Sequence, residues 1–153
     1  MNELKRQKYN DLYMDLAFRI AEMSYAKRLN VGCVIVKDNN IISFGWNGMP
    51  AGWDNNCEVE TSEIVDIDSR IITPSQTVTR PEVLHAEENA LMKLCRSTNS
   101  SQDASMYITH APCIKCARLI HQAGIKSIFF TEEYRNEDGL VFLDKCGVEI
   151  EQI

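Results

Sequence analysis

The arrangement of apolar positions predicts a helix followed by a β-hairpin in the first third of the chain. The helix is expected over residues 11–28, where apolar side chains recur every three or four positions. Two runs rich in β-branched residues, 31–37 and 41–46, flank turn-forming residues at 38–40 and predict the hairpin. The buried stripe of the helix is expected to contain Leu12, Tyr13, Leu16, Ala17, Ile20 and Met23.

The rest of the chain alternates between helical and strand-like patterns. Residues 53–82 are polar and aperiodic, which predicts a long loop with a short helix near 63–69. Further helices are expected at 85–95, 113–123 and 140–146, and further strands at 106–109, 127–131 and 148–153. The inner face of the 85–95 helix is expected to hold Ala86, Ala90, Leu91 and Leu94, and Gly124 is expected to end the 113–123 helix. This order predicts an α/β fold with three α/β/α layers, in which helices cover both faces of a mixed five-stranded sheet.

Length and composition are those of one globular domain over residues 1–153. The 153 residues are 44% hydrophobic and carry a formal net charge of -6. This charge argues against a broad basic face that binds nucleic acid, although a local basic group can still hold one phosphate. No stretch is apolar enough to cross a membrane, and the charged start lacks a secretory signal. We therefore expect a cytoplasmic protein.

Six cysteines in such a compartment favour metal binding or redox chemistry over disulfides. Cys33 lies inside a β-branched run and is expected to be a small buried side chain. Cys57, Cys95 and Cys146 have no Cys or His close in sequence, and we expect each to be structural.

Two short motifs, His-Ala-Glu and Pro-Cys-Ile-Lys-Cys, supply three zinc ligands and one free carboxylate. The ligands are His85, Cys113 and Cys116, and the carboxylate is Glu87. Three protein ligands leave the fourth zinc position for water, which is typical of catalytic sites. This H-x-E…P-C-x-x-C order is typical of zinc-dependent base deaminases. It predicts that Glu87 moves protons while hydroxide replaces an amino group on a ring carbon.

Each motif alone has a simpler interpretation. The two cysteines could form a redox dithiol or half of a structural zinc site.

Both motifs are expected at strand-to-helix transitions, where the helix start favours thiolates. Pro112 is expected at the first helical position. His110, just before the cysteines, is a candidate for lining the pocket, and His121 is expected at the surface or a subunit contact.

The chain resembles the deoxycytidylate (dCMP) deaminase family of the zinc-dependent cytidine deaminase superfamily. The matching motifs lie at 45–52, 85–87, 112–120 and 122–126, and the likeness runs from about residue 24 to 153. The resemblance implies a cytidine-deaminase-like fold, one zinc per chain and conversion of dCMP and water into dUMP and ammonia, which feeds dTMP synthesis. It implies these substrate contacts: Asn47 with the sugar hydroxyl, the Ala86 N–H with the base, Pro112 in the pocket and Tyr134 over base and phosphate.

Regulation is also implied by the resemblance. Family members are commonly hexamers, activated by dCTP with Mg²⁺ and inhibited by dTTP. The effector contacts are expected at Lys27, Arg28, Gly45, Trp46, Gly48 and Pro50. Lys27 and Arg28 are equally compatible with a solvated basic pair at a helix C-terminus. Some relatives bind a second, structural zinc, but no His lies between Cys57 and His85 here, which predicts a single zinc.

Two questions stay open at the level of sequence. The 5′-phosphate could be held by Arg28, Lys115, Arg118 or Arg135. The function could instead be that of a tRNA adenosine deaminase, a free-base deaminase or a non-catalytic nucleotide-sensing zinc module. Net charge and the loop at 48–52 count against the tRNA enzyme, and a Glu87→Ala variant that keeps its zinc but loses activity would discriminate the enzyme from the sensor.

Overall fold

A computed structural model describes residues 2–61, 64–66, 71–72 and 76–153. The helices are Glu3–Ala21 (α1), Ala86–Leu94 (α2), Ile114–Gln122 (α3) and Asp138–Lys145 (α4). The strands are Gly32–Lys37 (β1), Asn40–Trp46 (β2), Glu58–Thr61 (β3), Ile64–Asp66 (β4), Ile71–Ile72 (β5), Gln76–Thr79 (β6), Ser105–His110 (β7), Ser127–Glu132 (β8) and Glu149–Gln152 (β9).

A mixed five-stranded sheet forms the centre of the fold, as predicted. Its strand order is β2-β1-β7-β8-β9. The β1 strand runs antiparallel to both β2 and β7, whereas β7, β8 and β9 run parallel to one another. The parallel strands are joined by helices, because a parallel connection needs a long crossover.

Helices cover both faces of this sheet, also as predicted. On one face α1 packs against a cluster that includes Val34, Tyr107 and Phe129. On the other face, the side chains that point the opposite way from the same strands pack against α2, α3 and α4. Cys33 and Ile108, both fully buried, belong to this second cluster. Alternate residues of one strand therefore serve two separate cores.

The predicted bounds of α1 were wrong, whereas its predicted inner stripe was right at Tyr13, Ala17 and Ile20 and wrong at Leu12 and Met23. The helix begins after Asn2, whose side chain accepts the Lys5 N–H at 2.9 Å, and ends at Ala21. Leu12 and Met23 are more than half exposed. The buried face also contains Asn10, Met14 and Ala21, which were not predicted. Small and polar residues on this face, among them Asn10, which bonds to the Tyr107 hydroxyl, shifted the apparent stripe.

The hairpin and the α3 terminus follow the sequence closely. Asp38 and Asn39 both have positive φ, at 50° and 60°, which is the requirement of a type I′ turn between paired strands. Gly124 also has positive φ, at 75°, directly after the C-cap Ala123. These local signals are strong because few other residues tolerate the left-handed region.

The segment predicted as a long loop contains strands. Strands β3 and β6 pair antiparallel from Glu58↔Thr79 to Thr61↔Gln76. Strands β4 and β5 form a second short pair, so the predicted helix at 63–69 is wrong at 64–66, and its remaining positions lie outside the described residues. Strands β3 and β6 are polar and mostly exposed, apart from the buried Glu58, so their sequence lacks the apolar face that predicts a strand.

The other cysteines differ in their surroundings. Cys33 and Cys57 are buried and Cys146 is half-buried, but Cys95 is exposed at the end of α2 and does not belong to the core. In the described part of the chain, no helix combines the length and apolarity that crossing a membrane requires.

Candidate active site

Two helix N-termini meet at the predicted zinc site. His85 is the N-cap residue of α2 and Cys113 is the N-cap residue of α3. Neither side chain caps its own helix, although this position usually carries a Ser, Thr, Asp or Asn that does so. Both side chains turn toward each other instead. Pro112 precedes the cap, so its predicted place at the first helical position was two residues off, and the helix begins at Ile114.

The three predicted ligands are close enough to share one ion. The Nδ1 atom of His85 lies 3.6 Å from Sγ of Cys113 and 3.4 Å from Sγ of Cys116. A tetrahedral zinc with ordinary Zn–N and Zn–S bonds places its nitrogen and sulfur ligands about 3.5 Å apart. The donor set and its spacing therefore fit zinc. Among the residues that the structure describes, these three form the one such group.

The two thiols do not lose their protons equally in the metal-free protein. A hydrogen bond from Cys116 lowers the pKa of Cys113 to about 3, and the nearby His85 adds to this effect. The same bond and burial raise the pKa of Cys116. The hydrogen bond with Cys113 also raises the pKa of His85. Metal binding at this site therefore has to release a proton.

Glu87 is a buried carboxylate beside these ligands. Its side chain is 4% exposed and lies in the first turn of α2, two residues after His85. Burial raises the pKa of Glu87 to about 7, against the opposing effects of its own backbone N–H and of His85. A carboxyl group with this pKa can both accept and return a proton near neutral pH.

Close packing against β2 fixes the position of α2. A Cβ at Gly45 would lie 2.4 Å from the Ala86 carbonyl oxygen and 2.6 Å from the Ala90 nitrogen. Ser43 Oγ donates to the Ala90 carbonyl at 2.7 Å, and Asn89 Nδ2 donates to the Trp46 carbonyl at 3.0 Å. The strand therefore holds the helix, and the helix start carries both His85 and Glu87.

A cavity of about 320 Å³ opens onto the zinc ligands and Glu87. Its polar lining includes four glutamates and two arginines, so it can bind a ligand with both donors and acceptors. The lining residues are Ala26, Arg28, Leu29, Val31, Asn47, Glu58, Thr79, Val83, His85, Ala86, Glu87, His110, Ala111, Cys113, Glu132, Glu133, Tyr134 and Arg135. Cys116 completes the metal-ligand group from the buried side of α3.

Four of the five predicted substrate contacts line this cavity: Asn47, Ala86, His110 and Tyr134. The fifth, Pro112, does not. It is fully buried, and its carbonyl oxygen packs against Gly139 of α4, where a Cβ would lie 2.0 Å away. Pro112 therefore joins α3 to α4, and the prediction that it lines the pocket is wrong.

Asn47 is already engaged with the backbone. Its Oδ1 accepts the Val31 N–H at 2.8 Å, and its Nδ2 donates to the Leu29 carbonyl at 2.8 Å. One amide hydrogen remains for a ligand. The side chain therefore fixes the 29–31 segment of the pocket wall as well as facing the cavity.

His110 is held by its neighbour. Thr109 Oγ1 accepts the Gly32 N–H at 3.2 Å and lies 2.9 Å from His110 Nδ1. A hydroxyl that accepts from Gly32 can give its own proton to Nδ1, which favours the ring tautomer with hydrogen on Nε2. Burial lowers the pKa of His110, so a neutral ring is the favoured form.

The structure reduces the candidates for the phosphate contact. Arg28 and Arg135 line the cavity, whereas Lys115 and Arg118 are exposed on α3 and are not among the lining residues. Two residues that were not predicted from the sequence, Glu58 and Thr79 of the β3–β6 hairpin, also line the cavity. A buried polar residue within a polar segment has no sequence signal of its own.

The predicted effector contacts do not all lie at one site. Trp46, Gly48 and Pro50 line another cavity, of about 340 Å³, together with Trp53 and Lys93. The space beside the Gly45 Cα is filled by α2, so its missing side chain serves packing and not close phosphate approach. Lys27 is exposed, and α1 ends at Ala21, so the alternative of a basic pair at its C-terminus is wrong.

A sequence model of a protein family, described as the cytidine and deoxycytidylate deaminase zinc-binding region, matches residues 7–132. The chain belongs to this deaminase family. The match contains all three metal ligands and Glu87. The zinc-binding assignment of the family therefore agrees with a ligand geometry that independently fits zinc.

Named members of the deaminase family align along most of this chain. Deoxycytidylate deaminase of Pongo abelii is 33% identical over 161 residues, covering 97% of this chain and 84% of that protein. Deoxycytidylate deaminase of Saccharomyces cerevisiae is 32% identical over 99% of this chain, which spans 47% of that protein's length.

A solved deaminase structure has the same fold. The dCMP deaminase from the cyanophage S-TIM5, in complex with dCMP and dUMP, superposes with a TM-score of 0.82 and is 36% identical. The alignment covers 100% of this chain and 99% of that one. The cytidine-deaminase-like fold implied by the sequence resemblance is thus confirmed.

Proposed function

We propose that this chain catalyses the hydrolytic deamination of dCMP to dUMP and ammonia. The observation that carries the proposal is the position of buried Glu87 beside three side chains spaced to hold zinc, in one cavity with two arginines. A metal site without that carboxylate would suit a structural role, and a cavity without a cation would not suit a nucleotide. Relatives that bear the name deoxycytidylate deaminase support the choice of substrate.

His85, Cys113 and Cys116 would hold the zinc. When bound, zinc supplies a water activated for attack on the base. Glu87 would take one proton of this water on a carboxylate oxygen and return it to the ring nitrogen. It would then move the remaining proton of the added water to the departing amine, which leaves as ammonia. Its buried position keeps bulk water from competing for these protons.

The remaining cavity residues would orient the nucleotide. Arg28 and Arg135 are suited to the 5′-phosphate, because a guanidinium offers paired donors to phosphate oxygens. The Ala86 N–H at the start of α2 is suited to the base, and Asn47 offers its remaining amide hydrogen to the sugar. Tyr134, in the segment after β8, would close the cavity, and His110 would donate from Nε2.

The substrate assignment is tested by turnover of equal concentrations of dCMP, dCTP, cytidine and a tRNA anticodon stem-loop by the zinc-loaded protein. We expect dCMP to be deaminated with the highest kcat/KM. A preference for the tRNA would establish the rival adenosine deaminase. Binding of dCMP without turnover would instead favour the non-catalytic sensor.

Regulation by nucleoside triphosphates is a second part of the proposal. The cavity beside Trp46, Gly48 and Pro50 combines exposed aromatic surface with a lysine, a combination suited to a base and its phosphates. We propose that dCTP with Mg²⁺ activates and dTTP inhibits through this cavity, in a hexameric assembly. The test is the rate at subsaturating dCMP with each triphosphate, together with sizing chromatography. A monomeric protein whose deamination rate changes with neither triphosphate would refute the proposed regulation and leave the proposed deaminase activity untouched.

A further inference from the structure

Two neighbouring carboxylates, Glu132 and Glu133, lie in the exposed part of the active-site cavity lining. Glu132 is the last residue of β8 and is the register partner of His110 in β7. Its backbone carbonyl accepts the Ala111 N–H at 2.8 Å. The sheet therefore fixes Glu132 at the edge from which α3 and its metal ligands begin, and Glu133 follows where the chain leaves the strand.

The negative charges of Glu132 and Glu133 are not neutralised by the protein. Within residues 2–61, 64–66, 71–72 and 76–153, neither carboxylate forms an ion pair. Burial lowers the pKa of His110, and the negative charge of Glu132 opposes this effect, so the carboxylate acts on the interior of the cavity. A ligand in the cavity would therefore meet two uncompensated negative charges at its exposed end.

Two arginines in the same cavity set a limit on the charge that a ligand can carry. Arg28 and Arg135 line the cavity, and in the described part of the chain neither guanidinium forms an ion pair. Arg28 Nη1 donates only to the Thr79 hydroxyl, at 3.4 Å. One phosphate carries roughly two negative charges near neutral pH, which the two guanidinium groups can balance. Further phosphates would bring charge that the cavity has no cation left to balance.

The direction of a longer phosphate chain follows from the position of the base. A base that reacts must lie beside Glu87, which is buried, so the 5′ end of the nucleotide points toward the exposed part of the cavity. The β- and γ-phosphates would extend farthest in this direction. They would therefore come near Glu132 and Glu133, and like charges at short range repel one another.

We propose that Glu132 and Glu133 select nucleoside monophosphates by repelling the β- and γ-phosphates of nucleoside di- and triphosphates. This inference rests on the proposed function, because it takes a cytosine nucleotide as the substrate. Specificity of this kind depends on a repulsive element against the wrong ligand as well as on attraction to the right one. The repulsion would also keep dCTP, the proposed activator, from being consumed at the active site.

The test compares deamination of dCMP and dCDP, each supplied alone, by zinc-loaded wild-type protein and by Glu132→Gln, Glu133→Gln and the double variant. dCDP is the cleaner probe because dCTP is also the proposed effector. Wild-type protein should have the lower kcat/KM for dCDP. Each single substitution should raise the dCDP/dCMP ratio of kcat/KM by roughly 2- to 5-fold, the usual size of one exposed charge interaction, and the double variant should raise it further.

The matched control is Glu137→Gln, which removes one negative charge from an exposed residue that does not line the cavity. It should keep the wild-type ratio. Glutamine has nearly the size of glutamate, so a changed ratio reports on charge and not on space. Because salt screens exposed charges, the difference in ratio between wild type and the double variant should shrink as the salt concentration rises from about 0.05 M to about 0.5 M.

Three results would overturn the proposal. The first is equal use of dCMP and dCDP by wild-type protein, which needs no variant. The second is a wild-type ratio in the double variant, since the discrimination would then come from the shape of the cavity. The third is a raised ratio that does not depend on salt. If the zinc-loaded wild-type protein deaminated neither nucleotide, the proposed function itself would have failed, which is a separate outcome.

Discussion

At the scale of single residues, the candidate active site holds a carboxyl group where burial favours its neutral, protonated form. Glu87 is 4% exposed, and burial raises its pKa to about 7. Enzymes commonly tolerate such a carboxylate because proton transfer needs a group that titrates near the working pH. The proposed proton transfer by Glu87 and its cost to stability therefore have the same physical origin.

That cost predicts a pH-dependent gain in stability for Glu87→Gln in zinc-free protein. Because the folded state holds the carboxyl proton more tightly than the unfolded chain, wild-type stability is fully present below about pH 4.5 and is lost as the pH rises toward 7. The neutral glutamine avoids this loss. We expect the variant to be more stable by about 3 kcal/mol at pH 8, from the size of this pKa change, and to match wild type near pH 4.

Urea unfolding of both zinc-free proteins across this pH range measures the difference. A gap that stays constant with pH would mean that the Glu87 carboxylate is not desolvated in the folded protein.

Replacement of Asn47 by alanine is expected to lower both the stability of the protein and its affinity for dCMP. Asn47→Ala removes bonds to Val31 and Leu29 and leaves the Val31 N–H without its partner. The expected loss of unfolding free energy is about 1–3 kcal/mol, with a raised KM for dCMP. Asn40→Ala, which removes one exposed bond to Asp38, serves as control and should change stability by less than about 0.5 kcal/mol. Equal stabilities for the two variants would contradict the bracing role.

At the scale of elements, the chemistry depends on how closely α2 lies against β2. The helix start carries His85 and Glu87, and the strand supplies Gly45 so that the two backbones can touch. The bonds from Ser43 and Asn89 add direction to this contact. A shift of the helix by a fraction of an ångström would move His85 and Glu87 together.

Gly45→Ala should therefore weaken zinc binding as well as folding. The added methyl would meet the Ala86 carbonyl at 2.4 Å, and overpacking of this kind typically costs about 1–3 kcal/mol. Gly48→Ala is the matched control, because its Cβ would only contact the Trp46 ring at 3.8 Å. Unfolding curves and zinc titrations of both variants provide the test. Normal zinc affinity in Gly45→Ala would contradict the link between packing and the site.

Some secondary-structure elements could be predicted from the sequence, and others could not. The β1–β2 hairpin and the end of α3 were predictable because positive-φ positions demand Asp, Asn or Gly. The α1 stripe was only partly predicted because Asn10 makes a buried contact that a hydrophobicity pattern does not weigh. The β3–β6 hairpin was missed because exposed strands lack alternation.

Some residues of the candidate site could likewise be predicted from the sequence, and others could not. The metal ligands and Glu87 were accessible from two local motifs whose spacing reflects chemistry. Arg28 and Arg135 could not be chosen over Lys115 and Arg118, because this choice depends on which long-range contacts surround the cavity. The inclusion of Glu58 depends on the same contacts, since nothing in a run of polar residues marks the one that is buried.

At the scale of the whole molecule, a bound metal would link two helices that lie apart in the sequence. The ligands come from the starts of α2 and α3, and both helices share one core cluster. A ligand that binds only the folded state stabilises it by mass action. Zinc at this position therefore stabilises the whole arrangement.

Removal of zinc should lower the free energy of unfolding by about 4 kcal/mol when the free metal had been a thousandfold above its Kd. Cys116→Ala should abolish this dependence on zinc because it removes one of three ligands. Cys95→Ala, at an exposed position, should retain it. Thermal melts with and without a chelator measure both effects, and a zinc-dependent midpoint in Cys116→Ala would refute the ligand assignment.

The most direct test of the central claim is the rate of dUMP formation by wild-type protein and Glu87→Gln, measured with the zinc content of the same samples. We expect one zinc per chain in both proteins, with a rate lower by about 10²- to 10⁴-fold in the variant. A wild-type rate in Glu87→Gln, or a fully zinc-loaded wild-type protein that forms no dUMP, would contradict the claim.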